Sequence, residues 1–319
     1  KHVLSVNPLR PAYRETPFEA SEAAPPGRAT PLSWTPYDEG LFEIGHDPDA
    51  GFAFDNETPR HRSFVEAFEL ADRPVTNGEL LEFVEDGGYS RGDLWLSEGW
   101  AAVRENGWSK PFYWEKKDGA WRVFTLRGPQ PLDPAEPACH VSYFEADAYA
   151  RWAGARLPTE QEWEVAASRL PVEGNFVESG RLHPAPTPAG EGPRALYGDV
   201  WEWTRSQYSP YPGYRPLPGT LGEYNGKFMS NQFVLRGGSC VTSARHVRAT
   251  YRNFFPADAA WQFMGIRLAR DVGGAPRQGG GRASAGTPSA GTPTPGTPTP
   301  ETPDAETPET TPADVSADR

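Results

Sequence analysis

The chain has 319 residues, of which 37% are hydrophobic and 12% are aromatic, which is enough to build a large folded core. Its formal net charge is −12 and it has no run of Lys and Arg that could follow a phosphate backbone, so nucleic acid is not an expected partner. No apolar run approaches the roughly 18 residues of a membrane span, and the only cysteines, Cys139 and Cys240, are too few for a disulfide framework. We therefore expect a soluble protein of the cytoplasm.

The opening segment, residues 1–13, is predicted to be the end of a helix that begins upstream. Val3 and Val6 precede Pro8, and proline cannot continue a helix. Since the first residue is a lysine, we interpret the chain as part of a longer protein whose upstream domain is missing. Residues 14–32 lack apolar periodicity and are rich in Pro, Ala, Glu and Thr, so we expect a linker there.

Three central helices are predicted from capping boxes, in which a Ser or Thr caps the helix and a Glu three residues later bonds back to the cap. The boxes pair Thr76 with Glu79, Ser142 with Glu145, and Thr159 with Glu162. The side chains expected to face inward are Leu80, Phe83 and Val84, then Ala146, Tyr149, Ala150 and Ala153, then Trp163, Ala166 and Ala167. The remainder, with 35 prolines and 33 glycines in the chain, predicts short strands and long loops. The expected class is an α+β domain of low regular secondary structure.

The composition changes again at the end of the chain. Residues 273–319 contain repeated Thr-Pro pairs and no aromatic residue. Such a segment has little apolar surface to offset the entropy cost of ordering it, so we expect a disordered tail. The folded domain is therefore predicted to span residues 33–272.

Standard catalytic motifs are absent from the sequence. It has no P-loop and no dinucleotide-binding glycine pattern, and its six histidines form no HxxxH or HExxH pair that would place two metal ligands on one helix face. An internal metal site is therefore not predicted. The acids Asp199 and Glu202 lie among tryptophans, which favours buried hydrogen-bonded carboxylates over a general acid and base.

Several separate segments nevertheless agree, in order, with one known family. The stretches 137–167 (PACHVSYFEADAYARWAGARLPTEQEWEVAA), 198–204 (GDVWEWT) and 236–270 (from RGGSC to FMGIRLAR) resemble the formylglycine-generating-enzyme-like, or sulfatase-modifying-factor, domain. Residues 42–61 and 74–89 extend the resemblance, which covers about residues 33–272. It implies a variant of the C-type lectin-like fold.

Within that superfamily, two branches have different chemistry. Formylglycine-generating enzymes carry two active-site cysteines in the last segment, as thiolate ligands for copper. Only Cys240 lies in that region here, and Cys139 is expected to be a small buried residue. The loops at 211–240 and 249–270 instead resemble the hercynine oxygenases of ergothioneine biosynthesis, and residues 1–13 resemble the segment that joins their helical iron domain to this domain.

This second resemblance implies oxidative formation of a carbon–sulfur bond. A three-histidine site on the upstream domain would bind Fe(II), and dioxygen would be the co-substrate. The substrates would be hercynine (Nα-trimethylhistidine) and a thiol, either cysteine or γ-glutamylcysteine, and the product would be a sulfoxide. The present chain would supply much of the substrate pocket and would be inactive alone.

The resemblance also indicates which residues bind substrate. Asn253, within RNFF, would bind the hercynine carboxylate through its amide NH2, and the Tyr224 hydroxyl would be a second donor. A trimethylammonium group cannot donate hydrogen bonds and is best held by aromatic faces. The candidates for those faces are Phe254, Phe255, Trp261 and Tyr224.

One departure from the family pattern concerns the sulfur donor. Enzymes that use γ-glutamylcysteine have a Trp-Asp pair where this chain has Phe254-Phe255, and Leu221 stands where they have a second, proton-donating tyrosine. Cysteine is therefore the favoured donor. A donor tyrosine would come from the missing domain or from Tyr211 or Tyr214.

Two further interpretations stay open on the sequence alone. One is a copper-dependent formylglycine-generating enzyme, and the other is a lectin-like binding module without catalytic activity.

Overall fold

In the computed structural model, residues 1–13 and 29–272 are described. The predicted disordered tail and most of the predicted linker lie outside these residues. The described helices are α1 (His2–Val6), α2 (Asn77–Glu85), α3 (Ser97–Asn106), α4 (Tyr143–Trp152), α5 (Glu160–Ala167) and α6 (Thr220–Asn225). Short 3-10 turns occur at Pro48–Ala50, Asp55–Glu57, Gly88–Ser90, Gly92–Leu94, Val177–Ser179, Gly226–Phe228 and Ala244–His246. None of the described helices is long and apolar enough to cross a membrane.

The strands are short and form four small sheets. They are β1 (Trp34–Tyr37), β2 (Gly40–Ile44), β3 (His61–Val65), β4 (Phe68–Ala71), β5 (Trp114–Lys117), β6 (Ala120–Thr125), β7 (Gly128–Pro131), β8 (Trp201–Gln207), β9 (Gln232–Arg236), β10 (Asn253–Pro256), β11 (Met264–Gly265) and β12 (Ala269–Asp271). The sheet orders are β1-β4-β12, β10-β9-β8-β11, β2-β3 and β5-β6-β7. All neighbouring strands are antiparallel except β8 and β11. The predicted α+β class with little regular structure is confirmed.

The three predicted capping boxes are present. Thr76, Ser142 and Thr159 each accept a bond from the backbone N–H three residues on, and the Glu at that position bonds back to the cap. The predicted inward faces are buried, except that Val84 is half-buried and Ala153, at the end of α4, is exposed. Helix α3 was not predicted. Its first residue follows Leu96, which provides no side-chain cap, so the local signal used for the other helices is missing there.

The core consists mainly of two clusters of buried aromatic and aliphatic side chains. One joins α2 and α4 to the central sheet through residues such as Phe83, Tyr149 and Trp203. The other packs α5, through Trp163, against Phe68 on β4. Trp163 and Trp203 are inaccessible to solvent, as expected of core residues rather than ligand-binding ones.

Glu202 and Asp199, the two acids weighed above as a general acid and base, are buried in the core. Glu202 forms a salt bridge with Arg267 at 2.7 Å, both side chains being fully buried, and it accepts a hydrogen bond from Trp163 Nε1 at 2.7 Å. Asp199 accepts a hydrogen bond from Asn175 Nδ2 at 2.7 Å. These partners confirm the prediction that both acids are hydrogen-bonded core groups.

Substitution of Ser142 by alanine should reduce the free energy of unfolding by about 1–2 kcal/mol, as for other lost N-caps. The Ser142 hydroxyl accepts from the Glu145 amide at 3.2 Å and donates to the Glu145 carboxylate at 2.8 Å. Urea unfolding followed by circular dichroism would measure the loss. Ser97→Ala is the control, because Ser97 is exposed at the start of the uncapped α3 and should change stability by less than about 0.5 kcal/mol. Equal losses in both variants would contradict the role of the Ser142 cap.

Candidate functional site

Strand β10 presents the predicted site residues on two opposite faces of its sheet. It pairs with β9 so that Asn253, Phe254 and Phe255 lie opposite Leu235, Val234 and Phe233. Side chains alternate along a strand, so Asn253 and Phe255 share one face and Phe254 projects from the other. Tyr224 lies near Phe254 and Trp261 lies near Phe255, so the five predicted residues form two groups.

The first group is an aromatic platform made by Phe254, Tyr208, Phe228 and Tyr224. Phe254 stacks on Tyr208 with ring centroids 4.0 Å apart, and Phe228 lies 5.9 Å from Phe254 and 4.9 Å from Tyr224. Tyr224 is 60% exposed and Phe228 is 40% exposed. The structure therefore brings Phe254 and Tyr224 together, and it adds Tyr208 and Phe228, which were not among the predicted site residues.

A polar network holds the platform in place. Asp55 accepts hydrogen bonds from Asn225 Nδ2 at 2.6 Å and from the Tyr214 hydroxyl at 3.1 Å. Asn56 Nδ2 donates to the Tyr208 hydroxyl at 2.9 Å. The 3-10 turn at residues 55–57 thus fixes the loop that carries the outer rings of the platform.

Both tyrosines considered as proton donors are engaged within this part of the fold. Burial, with the hydrogen bond to Asp55 and its charge, raises the pKa of Tyr214 to about 12. Tyr211 is buried, and its hydroxyl contacts Arg236 Nη2 at 3.1 Å. Burial, with the charge of Glu160, raises the pKa of Tyr211 as well. Neither hydroxyl projects freely from the protein.

The second group consists of Asn253, Phe255 and Trp261. Phe255 and Trp261 pack edge to face with centroids 5.4 Å apart, and Trp261 is 52% exposed. The Asn253 side-chain oxygen accepts a hydrogen bond from the Phe254 N–H at 3.0 Å, and this bond orients the side-chain amide. Within residues 1–13 and 29–272 no partner uses the Asn253 NH2, so it can donate to a ligand.

A groove of about 740 Å³ opens beside Trp261. Its walls are the segments 106–113 and 258–261, with Glu145 in addition. Trp108, Phe112 and Tyr113 supply aromatic surface opposite Trp261. This groove was not predicted, because its two walls are about 145 residues apart along the chain.

Buried ion pairs support β10 from beneath. Arg252, the residue before Asn253, donates to Glu160 from Nε at 2.9 Å and from Nη2 at 3.0 Å. Arg236 Nη2 donates to both Glu160 and Glu164 at 2.9 Å. Burial pushes the pKa of Glu160 upward, but the charges of Arg252 and Arg236 outweigh it, so the pKa lies below its ordinary value. The base of the site is therefore a fixed array of two cations and two anions.

The described residues do not fit an iron centre. No three side chains of His, Cys, Asp or Glu among them converge as metal ligands. The histidines have other neighbours: His183 contacts Glu136 at 3.1 Å and His246 contacts the Tyr251 hydroxyl at 2.9 Å.

The two cysteines lie in one buried cluster with Val200 and Phe263 and form no disulfide. Burial raises the pKa of the Cys139 thiol to about 12, and burial also raises that of Cys240 well above its ordinary range. Cys139 is buried, as predicted, but its proximity to Cys240 was not foreseen. Protonated, inaccessible thiols are poorly suited to nucleophilic or metal-binding roles.

The N-terminal segment packs beside this cluster. The Lys1 ammonium lies 2.6 Å from His140 Nε2 and 4.6 Å from the centroid of Tyr113, and burial lowers its pKa to about 8. Arg10 donates to Glu115 at 2.6 Å. These contacts attach residues 1–13 to the folded domain.

Comparison with protein families gives a match over most of the described residues. The family model described as the sulfatase-modifying factor enzyme 1-like domain matches residues 37–193 and 186–272. Among solved structures, PvdO from Pseudomonas aeruginosa superposes with a TM-score of 0.51 at 19% identity, covering 75% of this chain and 94% of that one. This likeness bears on the fold alone, and with the family match it confirms the expected formylglycine-generating-enzyme-like fold.

Two proteins of known name are similar in sequence to most of this chain. It is 38% identical over 255 residues to a hercynine oxygenase of Mycobacterium tuberculosis, covering 72% of this chain and 59% of that protein. It is 30% identical over 295 residues to a formylglycine-generating enzyme of Streptomyces coelicolor, covering 73% of this chain and 87% of that protein. The chain thus spans less than two thirds of the hercynine oxygenase.

Proposed function

Since the chain belongs to the sulfatase-modifying factor enzyme 1-like family, we propose that it is the substrate-binding part of a cytoplasmic hercynine oxygenase of ergothioneine biosynthesis. The identity to the mycobacterial hercynine oxygenase, 38% against 30% for the formylglycine-generating enzyme, supports this branch. The buried, protonated state of Cys139 and Cys240 also argues against copper-dependent chemistry at these thiols.

A further domain would precede this chain and complete the enzyme. On α1 and just after it, Val3, Val6 and Leu9 are 78%, 65% and 88% exposed, which is unusual for apolar side chains in a segment attached to a folded domain. A neighbouring domain would cover them. We propose that this domain also binds Fe(II), the cofactor that would activate dioxygen.

The observation that carries the proposal is the shared face of Asn253 and Phe255 on β10. Two positions apart on a strand, their side chains emerge about 7 Å from each other. The carboxylate and the trimethylammonium group of hercynine are bonded to the same carbon, so this spacing would place them between the Asn253 amide and the Phe255 ring. The free NH2 of Asn253 would donate to the hercynine carboxylate. The corner between Phe255 and Trp261 would hold the trimethylammonium group through cation–π attraction, about 0.5–2 kcal/mol per ring.

The aromatic platform is the alternative binding site for the trimethylammonium group. Tyr224 and Phe254 lie there, with Phe228 beside them. Because Phe254 projects from the face opposite to Asn253, one hercynine molecule bound to Asn253 would reach the platform less directly than the Phe255–Trp261 corner.

The net reaction balances with one molecule of dioxygen. Hercynine contributes a C–H bond and the thiol contributes an S–H bond, and these become a C–S bond, a sulfoxide oxygen and one water. Forming the C–S bond releases two electrons and oxidising the sulfur releases two more, and dioxygen accepts all four. In this reaction the chain described here would bind and orient hercynine and exclude water from it.

Cysteine is the sulfur donor that we propose. Phe255 offers no charge to the glutamyl group of γ-glutamylcysteine, in contrast to the acid found at this position in enzymes that use it.

Turnover by the intact protein containing this chain tests the function. Reconstituted with Fe(II) and supplied with oxygen, hercynine and cysteine, it should give the sulfoxide, detected by mass spectrometry, whereas the 319-residue chain alone should give none. Product only with γ-glutamylcysteine would contradict the donor assignment. No product with either thiol would contradict the oxygenase function and favour a non-catalytic binding module.

A further inference from the structure

The side chain of Lys1 enters a buried pocket that lies behind the proposed hercynine site. Its ammonium group is 2.6 Å from His140 Nε2, 4.6 Å from the centroid of the Tyr113 ring and 5.1 Å from the centroid of the Phe263 ring. His140 is inaccessible to solvent, and its ring packs 4.7 Å from Tyr113 and 4.6 Å from Phe263, centroid to centroid. One imidazole and two aromatic rings therefore enclose the ammonium.

This ammonium has no carboxylate partner in the described part of the chain. Burial lowers the pKa of Lys1 to about 8, and the thiols of Cys139 and Cys240 and the carboxylate of Glu136 oppose that shift more weakly. Glu136 contacts His183 Nε2 at 3.1 Å instead. A buried charge without a paired opposite charge costs free energy, so a gain in stability does not explain why the ammonium is there.

The His140 imidazole is neutral and accepts the hydrogen bond. Burial, together with the Lys1 charge, holds the pKa of His140 well below its usual range. A charged ammonium can only donate, so Nε2 presents its lone pair to Lys1. Burial raises the pKa values of Tyr113 and Cys139 to about 12 and that of Cys240 well above its ordinary range. Lys1 is therefore the group of this cluster that changes charge near pH 8.

Two of the enclosing residues have a backbone conformation that side chains rarely adopt. The φ angle is +72° at Tyr113 and +64° at His140, in the left-handed region that favours glycine. Such conformations persist only where the surrounding contacts support them, and they are frequent at functional sites. Both residues contact the Lys1 ammonium, so this one group supports both conformations.

The pocket is connected to the hercynine site on both sides. Phe263 lies two residues after Trp261, and its carbonyl accepts a hydrogen bond from the Trp201 N–H at 2.8 Å. Tyr113 lines the groove wall opposite Trp261. Lys1 itself comes directly before α1, the segment that we assign to the end of the upstream domain. A shift of Lys1 would therefore reach both walls of the groove.

We propose that Lys1 is a positioning residue that transmits the placement of the upstream domain to the corner between Phe255 and Trp261. By holding its three neighbours in one arrangement, the ammonium keeps Trp261 packed edge to face on Phe255. Lys1 acts through these rings and does not touch the substrate. This inference rests on the proposed function, because it assigns the means by which the two domains of that enzyme are coupled.

Replacing Lys1 by methionine in the intact protein tests the assignment, because methionine keeps most of the side-chain length and removes the charge. The Kd for hercynine, measured by isothermal titration without oxygen, should rise about fivefold or more, since an apparent Kd rises as the binding-competent fraction falls. The melting temperature should stay the same or rise, because an apolar group replaces an unpaired buried charge. A purely structural role would instead lower the melting temperature.

His140→Asn is the second variant, since asparagine tolerates the left-handed backbone but is too short to keep the ring contacts. It should raise the hercynine Kd by a similar factor, and the double variant should be no weaker than either single variant, because both changes remove the same contact. Wild-type affinity should also fall as the pH rises through about 8, whereas the affinity of Lys1→Met should not. Lys117→Met, at the exposed end of β5, is the matched control and should behave as wild type.

A hercynine Kd of Lys1→Met that matches wild type, additive losses in the double variant, or a pH dependence that persists without Lys1 would overturn the assignment while leaving the proposed function intact. Failure of the wild-type protein to bind hercynine would contradict the proposed function, and this inference with it. The wild-type titration therefore separates the two failures.

Discussion

Replacement of Glu160 by glutamine is expected to lower the free energy of unfolding by about 3–5 kcal/mol, the usual cost of breaking a buried ion pair from one side. Glu160 is 3% exposed and accepts hydrogen bonds from both Arg252 and Arg236. Without its charge, Arg236 would keep only the Glu164 carboxylate, and Arg252 would have no carboxylate partner among the described residues. Urea unfolding followed by tryptophan fluorescence measures the change.

The effect should depend on pH in a defined direction. The folded-state pKa of Glu160 is lowered, so its contribution is complete above the pKa of an unfolded-chain glutamate, about 4.3, and is lost as the pH falls through the folded-state value. The difference between wild type and Glu160→Gln should therefore shrink in acid. Glu105→Gln, at an exposed position of α3, is the matched control and should stay within about 0.5 kcal/mol of wild type. A loss below about 1 kcal/mol in Glu160→Gln at neutral pH would contradict the importance of the ion-pair array.

Replacement of Asn253 by alanine should weaken hercynine binding by about 1–3 kcal/mol, the range expected for a lost hydrogen bond to a charged group. The amide is oriented by its bond from the Phe254 N–H, and its NH2 points to no other described residue. Asn253→Asp should be more damaging, because a carboxylate would repel the carboxylate of hercynine. Calorimetric titration with hercynine measures both, with Gln130→Ala, on the separate sheet of β5, β6 and β7, as the control.

A companion variant locates the cation of hercynine. Tyr224 is 60% exposed, so Tyr224→Ala should leave the fold intact. If the trimethylammonium group lies between Phe255 and Trp261, the hercynine Kd of this variant will match wild type. An increase in Kd comparable to that of Asn253→Ala would instead place the cation on the aromatic platform, and an unchanged Kd in Asn253→Ala would remove Asn253 from the site.

Much of this fold was predictable because its signals are local. A capping box such as Thr159 with Glu162 is complete within four residues, so its hydrogen bonds form wherever the helix forms. The tryptophans of GDVWEWT are large and apolar, and their burial in the core follows from the area they remove from water. The order of several such motifs along the chain was sufficient to identify the family.

Other features depended on which distant segments meet. The pairing of β10 with β9 decides which face of the sheet Asn253 and Phe255 occupy and which face Phe254 occupies, and a shift of one residue in that register would exchange the two faces. The groove arises only where residues 106–113 approach residues 258–261, and Cys139 meets Cys240 only through the core. The sequence by itself therefore determined the family, three capped helices and the core tryptophans, because these follow from local hydrogen bonding and hydrophobicity. The arrangement of the site was decided by the tertiary structure, since strand register and long-range packing bring its parts together.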